Sequence, residues 1–141
     1  MDIETLIPHR GRMKLIDRVL DLNDEESVTS TRVSDLWPLH RDAFVDPLIL
    51  IEVVAQTAAV HISSRMKSGK TADRRGWMVG IKNADFFWDR IPVDTLLTTT
   101  VKNMYNLENY SVLEGEVKAG SDLLCRVQIQ VMRASDEETT G

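Results

Sequence analysis

The sequence predicts an α+β domain in which one long central helix is wrapped by a curved antiparallel β-sheet. Three observations carry this. Residues 46–67 form an almost wholly apolar run with helix caps at both ends; the chain after Trp77 reads as consecutive strands joined by short turns; and no linker or repeat divides the 141 residues. A single domain over residues 1–133 follows, with 134–141, small, acidic and polar, as a loose tail.

The elements follow in order. Ile3–Ile7 is a short apolar piece closed by Pro8, and Met13–Leu20 reads as a strand or part of one. Asn23–Glu26 is a turn, and Ser27–Val33 alternates serine and threonine with valine, the composition of a half-exposed strand. A loop through Trp37-Pro38-Leu39-His40 leads to the helix, expected over Asp46–Lys67. Asp46 suits the N-cap, Pro47 the first helical position, and Ser68-Gly69 the stop, with Arg65 and Lys67 near the negative end of the dipole. Apolar residues occupy every side of this helix, so protein must surround it. Strands are then expected at Trp77–Phe87, Leu96–Tyr105, Tyr110–Lys118 and Leu123–Met132, with turns at Pro92-Val93-Asp94, Asn106–Asn109 and Gly120-Ser121-Asp122. Short links between long strands imply antiparallel neighbours.

Composition narrows the function. A net charge of −5 argues against nucleic acid as a partner, which would need a concentrated positive patch. Cys125 is the single cysteine, which excludes an internal disulfide and a cysteine-rich metal site and fits a reducing, cytoplasmic setting. The acidic start Met1-Asp2-Ile3-Glu4 does not resemble a secretory signal. The longest apolar stretch, Pro47–Ile62, is too short to span a bilayer and contains Glu52, Gln56 and His61, so no membrane association is expected. Metal-ligand spacing, a phosphate-cradling glycine loop and a Gly-x-Ser-x-Gly elbow are all missing, so neither metal nor cofactor is expected.

Glu52 stands out as a carboxylate in the second turn of an apolar helix, a candidate acid or base; the competing reading is a structural carboxylate at a subunit contact. Gln56, one turn on, can reach it as a hydrogen-bond partner. His61 lies nine residues after Glu52, about 180° around the helix, and reads as structural. His9 reads as a capping or packing residue. His40, just before the helix, is the best partner for Glu52 within its own or a neighbouring subunit. The aromatics Phe86-Phe87-Trp88 could line an apolar tunnel or belong to the core.

Three stretches resemble one family. PLILIEVVAQTAAV, Pro47–Val60, resembles the central helix of hot-dog-fold 3-hydroxyacyl-(acyl carrier protein) dehydratases, in which a glutamate is followed by an Ala-Gln pair. IPHRGRMKLIDRV, ending at Val19, is similar to that family's amino-terminal Pro-His-Arg and Asp-Arg-Val segment. VGIKNADFFWDRIPVDTL, Val79–Leu96, is similar to its Gly-Ile strand, aromatic residue and Pro-x-Asp turn. The closer likeness is to the small dehydratase-like branch associated with aryl polyene pathways.

The resemblance implies a hot-dog homodimer or higher homo-oligomer, with the sheets joined and the helices side by side, or pairing with a paralogous dehydratase subunit. It implies a thioester substrate on acyl carrier protein or coenzyme A, dehydrated to the 2-enoyl thioester in fatty-acid-like or polyene biosynthesis. By position it assigns Glu52 as acid and His40 as base, with Gln56, Leu48, Gly80, Ile81 and Phe86 along the substrate. Two departures are visible. The family's Gly-His-Phe-Pro histidine falls on Pro38, so His40 matches only with a loop two residues shorter. Pro47 replaces a glycine whose N–H would polarise the thioester carbonyl, which moves that role to another amide such as that of Leu48. A catalytically silent acyl-thioester-binding or partner subunit and a hot-dog thioesterase are the alternative expectations.

Overall fold

The computed structural model describes residues 14–67, 77–107 and 110–133. The expectations for Ile3–Ile7, His9, the Ser68-Gly69 stop and the tail 134–141 lie outside the described residues. Chain order is β1 (Arg18–Leu22), β2 (Glu26–Arg32), β3 (His40–Arg41), β4 (Phe44–Val45), α1 (Ile49–Lys67), β5 (Trp77–Phe86), β6 (Ile91–Pro92), β7 (Leu96–Leu107), β8 (Tyr110–Ala119) and β9 (Asp122–Arg133).

A six-stranded antiparallel sheet has the order β1-β2-β7-β8-β9-β5, and a small second sheet has the order β3-β4-β6. The meander β7-β8-β9 is the consequence of short links. Ala119 pairs with Asp122, leaving a two-residue turn whose first position, Gly120, has φ 60°, a conformation glycine adopts without strain. β5 pairs with β9 and not with the next long strand in sequence, β7, so it forms one edge of the sheet.

One strand expectation changes and another gains a direction. Among the described residues of the Met13–Leu20 segment, which begin at Lys14, strand starts only at Arg18, because Leu15 and Ile16 are both buried and the alternation of a half-exposed strand is broken there. In β2 it is the hydroxyl residues Ser27, Thr29 and Thr31 that face inward, with Val28 only partly buried. They can do so because each finds a partner inside: Ser27 Oγ with His61 Nδ1 at 3.0 Å, Thr29 Oγ1 with Thr57 Oγ1 at 2.8 Å, and the Thr31 hydroxyl donating to the Leu15 carbonyl.

Helix α1 starts where its cap dictates. The Leu48 N–H donates to Asp46 Oδ1 at 2.9 Å, while Ile49, Leu50 and Ile51 donate to the carbonyls of Asp46, Pro47 and Leu48. These i to i+3 bonds wind the opening turn tightly, so regular α-helix begins at Ile49, three residues after the expected Asp46. The helix packs on β2, β7, β8 and β9. It approaches β8 closely because Gly115 has no side chain; a Cβ there would collide with Val54.

Enclosure of the helix is incomplete within one chain. Leu50, Val53, Val54, Gln56, Thr57, Ala58, Val60 and His61 are buried, whereas Ile51, Glu52, Ala55, Ala59 and Ile62 are only half-buried and Leu48 is 56% exposed. At 100° per residue the second group falls on one side of the helix. The protein expected around the helix is supplied by its own chain on the other faces and only in part on that one. The sheet is wide enough to cover one side of a helix, and β5 lies beyond it: Ile81, opposite the buried Ile129, is 47% exposed.

Candidate functional site

Glu52 sits on the incompletely covered face in the first turn of α1. Its Oε1 accepts a hydrogen bond from Gln56 Nε2 at 3.2 Å, the i, i+4 contact expected from the sequence. Gln56 itself is fully buried, and its Oε1 accepts the Leu15 N–H at 2.9 Å. His61, on the opposite side of the helix, bonds Ser27 and belongs to the core.

His40 is on β3, not in a loop. It pairs with Val45 across a tight hairpin at Asp42-Ala43, and β4 continues onto β6. Two left-handed residues shape this hairpin, Leu39 with φ 64° and Asp42 with φ 55°. The Asp46 N–H donates to the Leu39 carbonyl at 3.1 Å, so the backbone just before His40 is tied to the N-cap of α1. The imidazole is exposed and lines an open pocket of about 400 Å³ together with Arg41, Phe44, Asp46 and Arg90, to which Glu52 does not contribute. The two candidate catalytic residues thus sit on different elements, His40 on β3 and Glu52 on α1.

The remaining sequence candidates separate in the same way. Leu48 exposes its side chain, but its amide is engaged by Asp46. Gly80 and Ile81 are exposed on β5, next to a bulge between Ile81 and Asn83. Phe86 and Trp88 are half-buried and pack against the core, while Phe87 is 54% exposed. Sequence reasoning missed Leu15, the backbone partner of Gln56, and the stacking of the Arg90 guanidinium over Phe44 at 4.6 Å from the ring centroid. Neither carries a local signal, because each pairs residues distant in sequence. Asp17, in the Asp-Arg-Val motif, holds β1 and β2 together, since its Oδ2 accepts the Arg32 N–H at 2.9 Å and lies 3.1 Å from Thr31 Oγ1. The Pro-x-Asp motif is likewise a turn, with Asp94 at φ 74° and the Thr95 hydroxyl donating to the Pro92 carbonyl at 2.7 Å.

A family model described as ApeP-like, ApeP dehydratase, matches residues 1–140. The chain belongs to this ApeP-like dehydratase family. Among curated relatives, the 3-hydroxyacyl-(acyl-carrier-protein) dehydratase FabZ of Polynucleobacter asymbioticus is 28% identical over 134 residues, covering 87% of this chain and 88% of its own. The same enzyme of Burkholderia thailandensis is 27% identical over 137 residues, covering 89% and 86%. Among solved structures, the dehydratase heterocomplex ApeI:P from Xenorhabdus doucetiae contains a chain that superposes with a TM-score of 0.83 at 20% identity, over 99% of this chain and 95% of that one. The helix against a curved antiparallel sheet is thus the hot-dog fold that the sequence resemblance implied. No helix among the described residues is long and apolar enough to cross a membrane.

Proposed function

We propose that the protein dehydrates a 3-hydroxyacyl thioester, carried by acyl carrier protein or coenzyme A, to the 2-enoyl thioester, with Glu52 as the acid and His40 as the base. The observation that carries the reading is the placement of Glu52: the acidic residue of α1, half-buried on the apolar face that one chain leaves open, and hydrogen-bonded to the buried Gln56. Family membership and the FabZ relatives, whose described substrate is a 3-hydroxyacyl carrier thioester, supply the reaction class.

The proposed step balances as an elimination. The His40 imidazole takes the C2 proton, the electron pair forms the C2–C3 double bond, and the C3–O bond breaks as Glu52 protonates the departing hydroxyl to water. The pocket that His40 lines does not include Glu52 of the same chain, which supports a pair completed between two copies, His40 of one protomer meeting Glu52 of its partner. The half-buried face of α1 and the uncovered Ile81 on β5 are apolar surfaces suited to such a contact. Leu39 supports the choice of histidine: the family has glycine before its histidine, and Leu39 holds the left-handed conformation that glycine favours. Ile81, Gly80, Phe86 and Leu48 border the acyl chain in this reading. Residues 1–133 act as one domain in a reducing, cytoplasmic setting.

A second reading has its own observation. Pro47 offers no N–H, and the Leu48 amide is bonded to the Asp46 carboxylate, so the first turn of α1 presents no ready donor to a thioester carbonyl. The chain would then pair with a paralogous dehydratase subunit, as the partners of the Xenorhabdus heterocomplex do, and bind acyl thioester without turning it over alone.

Incubation with 3-hydroxyacyl and 2-enoyl thioesters, following enoyl absorbance and free thiol, separates the readings. Interconversion that falls in Glu52→Gln and His40→Ala is the expected result. Thiol release without enoyl formation would replace it with a thioesterase. Turnover seen only after a paralogous subunit is added would establish the second reading, and unchanged turnover in Glu52→Gln would remove Glu52 from the mechanism.

A further inference from the structure

His40 stands on a lightly secured element. β3 is two residues long, forms an edge of its small sheet and pairs only with β4, which is equally short and continues onto β6. The turn beside it places two side-chain-bearing residues, Leu39 and Asp42, in the left-handed region, which L residues enter at a cost. Opposite residues of an antiparallel pair share a face, so His40 shares one with Val45 and Arg41 shares the other with Phe44. Val45 and its partner Ile91 are buried and anchor the first face in the core. The second face has its own contact: the Arg90 guanidinium lies over the Phe44 ring, 4.6 Å from its centroid. Asp42, Asp46 and Asp89 line the same pocket, yet among the described residues Arg90 forms no ion pair with any of them, so it is the ring that orients it.

We infer that Arg90 is a positioning residue for His40: stacked on Phe44, it clasps the hairpin that carries the imidazole against the chain leading into β6. This rests on the reading of His40 as the base. A base must stay within a fraction of an ångström of its productive place, and a displacement of about 1 Å can lower the rate about 10²-fold. In this role Arg90 acts through Phe44 and needs no contact with the reacting atoms. Two backbone bonds tie the same hairpin and report on its opening. The Asp46 N–H donates to the Leu39 carbonyl at 3.1 Å, and the Val93 N–H donates to the Ala43 carbonyl at 2.8 Å.

The test combines thioester turnover with amide hydrogen exchange on the full chain. Arg90→Gln and Phe44→Leu are each expected to lower kcat for 3-hydroxyacyl thioester by about 10-fold, with KM within about twofold of the parent. The double variant should lose no more than either alone, because both break one contact. Phe44→Trp keeps a ring under the guanidinium and should retain the parent's turnover. In both single variants the Asp46 and Val93 amides should exchange about three- to five-fold faster, while the amides of β8 and β9 keep their protection. A raised KM in Arg90→Gln that Phe44→Leu does not share would make Arg90 a substrate contact and overturn the inference. Faster exchange with parent-like turnover would overturn it as well, leaving the stack a structural contact alone, and so would unchanged exchange in both variants. A parent that never turns over thioester defeats the proposed function and with it the base, whereas exchange in the same samples separately decides whether Arg90 holds the hairpin.

Discussion

The two faces of α1 meet different surroundings although they belong to one helix. The face toward β2, β7 and β8 is fully enclosed: Leu50, Val53, Val54 and Val60 pack against the sheet, and Thr57, His61 and Gln56 each have a hydrogen-bond partner on a distant segment. The other face, with Leu48, Ile51, Glu52, Ala55, Ala59 and Ile62, is apolar apart from the acid and is left partly open. Both are similar in composition, so hydrophobicity alone does not say which is which. The enclosed face carries the stability of the single chain. The open face carries the acid, and its small alanines are the surface a second protein can approach.

This difference can be broken from either side. Glu52→Gln should lower enoyl formation by about 10²–10⁴-fold while leaving the thermal midpoint close to that of the parent, measured by absorbance and by calorimetry. Leu50→Ala should do the converse: a loss of about 3 kcal/mol in unfolding free energy by urea titration, with the turnover of the folded fraction preserved. Gly115→Ala should cost about 2 kcal/mol because the new methyl collides with Val54, and adding Val54→Ala should recover part of it in a double-mutant cycle. Thr29→Val removes one partner of Thr57, which still donates to the Val53 carbonyl, so about 1 kcal/mol is expected. Cys125 should show the smallest effect. Burial pushes its thiol up to about 12, so at pH 8 it stays protonated and a thiol reagent should leave the folded protein unlabelled until urea exposes it.

Particular residues show how far the sequence reading reached. Asp46 and Pro47 marked the start of the helix to within one turn, because capping is local chemistry. The four late strands were placed to within about two residues at their ends, because turn residues such as Gly120 act locally too. Ser27–Val33 was read as a half-exposed strand, and the reading did not say that Ser27, Thr29 and Thr31 are the residues that face inward. Alternation tells which residues share a face but not which face is inward when the partners that satisfy the Ser27 and Thr29 hydroxyls lie on a helix some 30 residues away. The short strands β3 and β4 escaped notice because each is two residues long and too short for any periodicity.

For the site, the sequence by itself determined that a single carboxylate sits early in an apolar helix with a glutamine one turn later, and the 3.2 Å contact between them follows from helix geometry. Only the tertiary structure decided what stands behind that pair. It placed Leu15 against Gln56, tied Leu39 to Asp46, set His40 on a pocket that Glu52 does not line, and left one face of α1 partly open. The physical reason is range. Caps, turns and i, i+4 contacts are settled by neighbours along the chain, whereas the direction of a buried amide and the enclosure of a helix face depend on which strands arrive beside them.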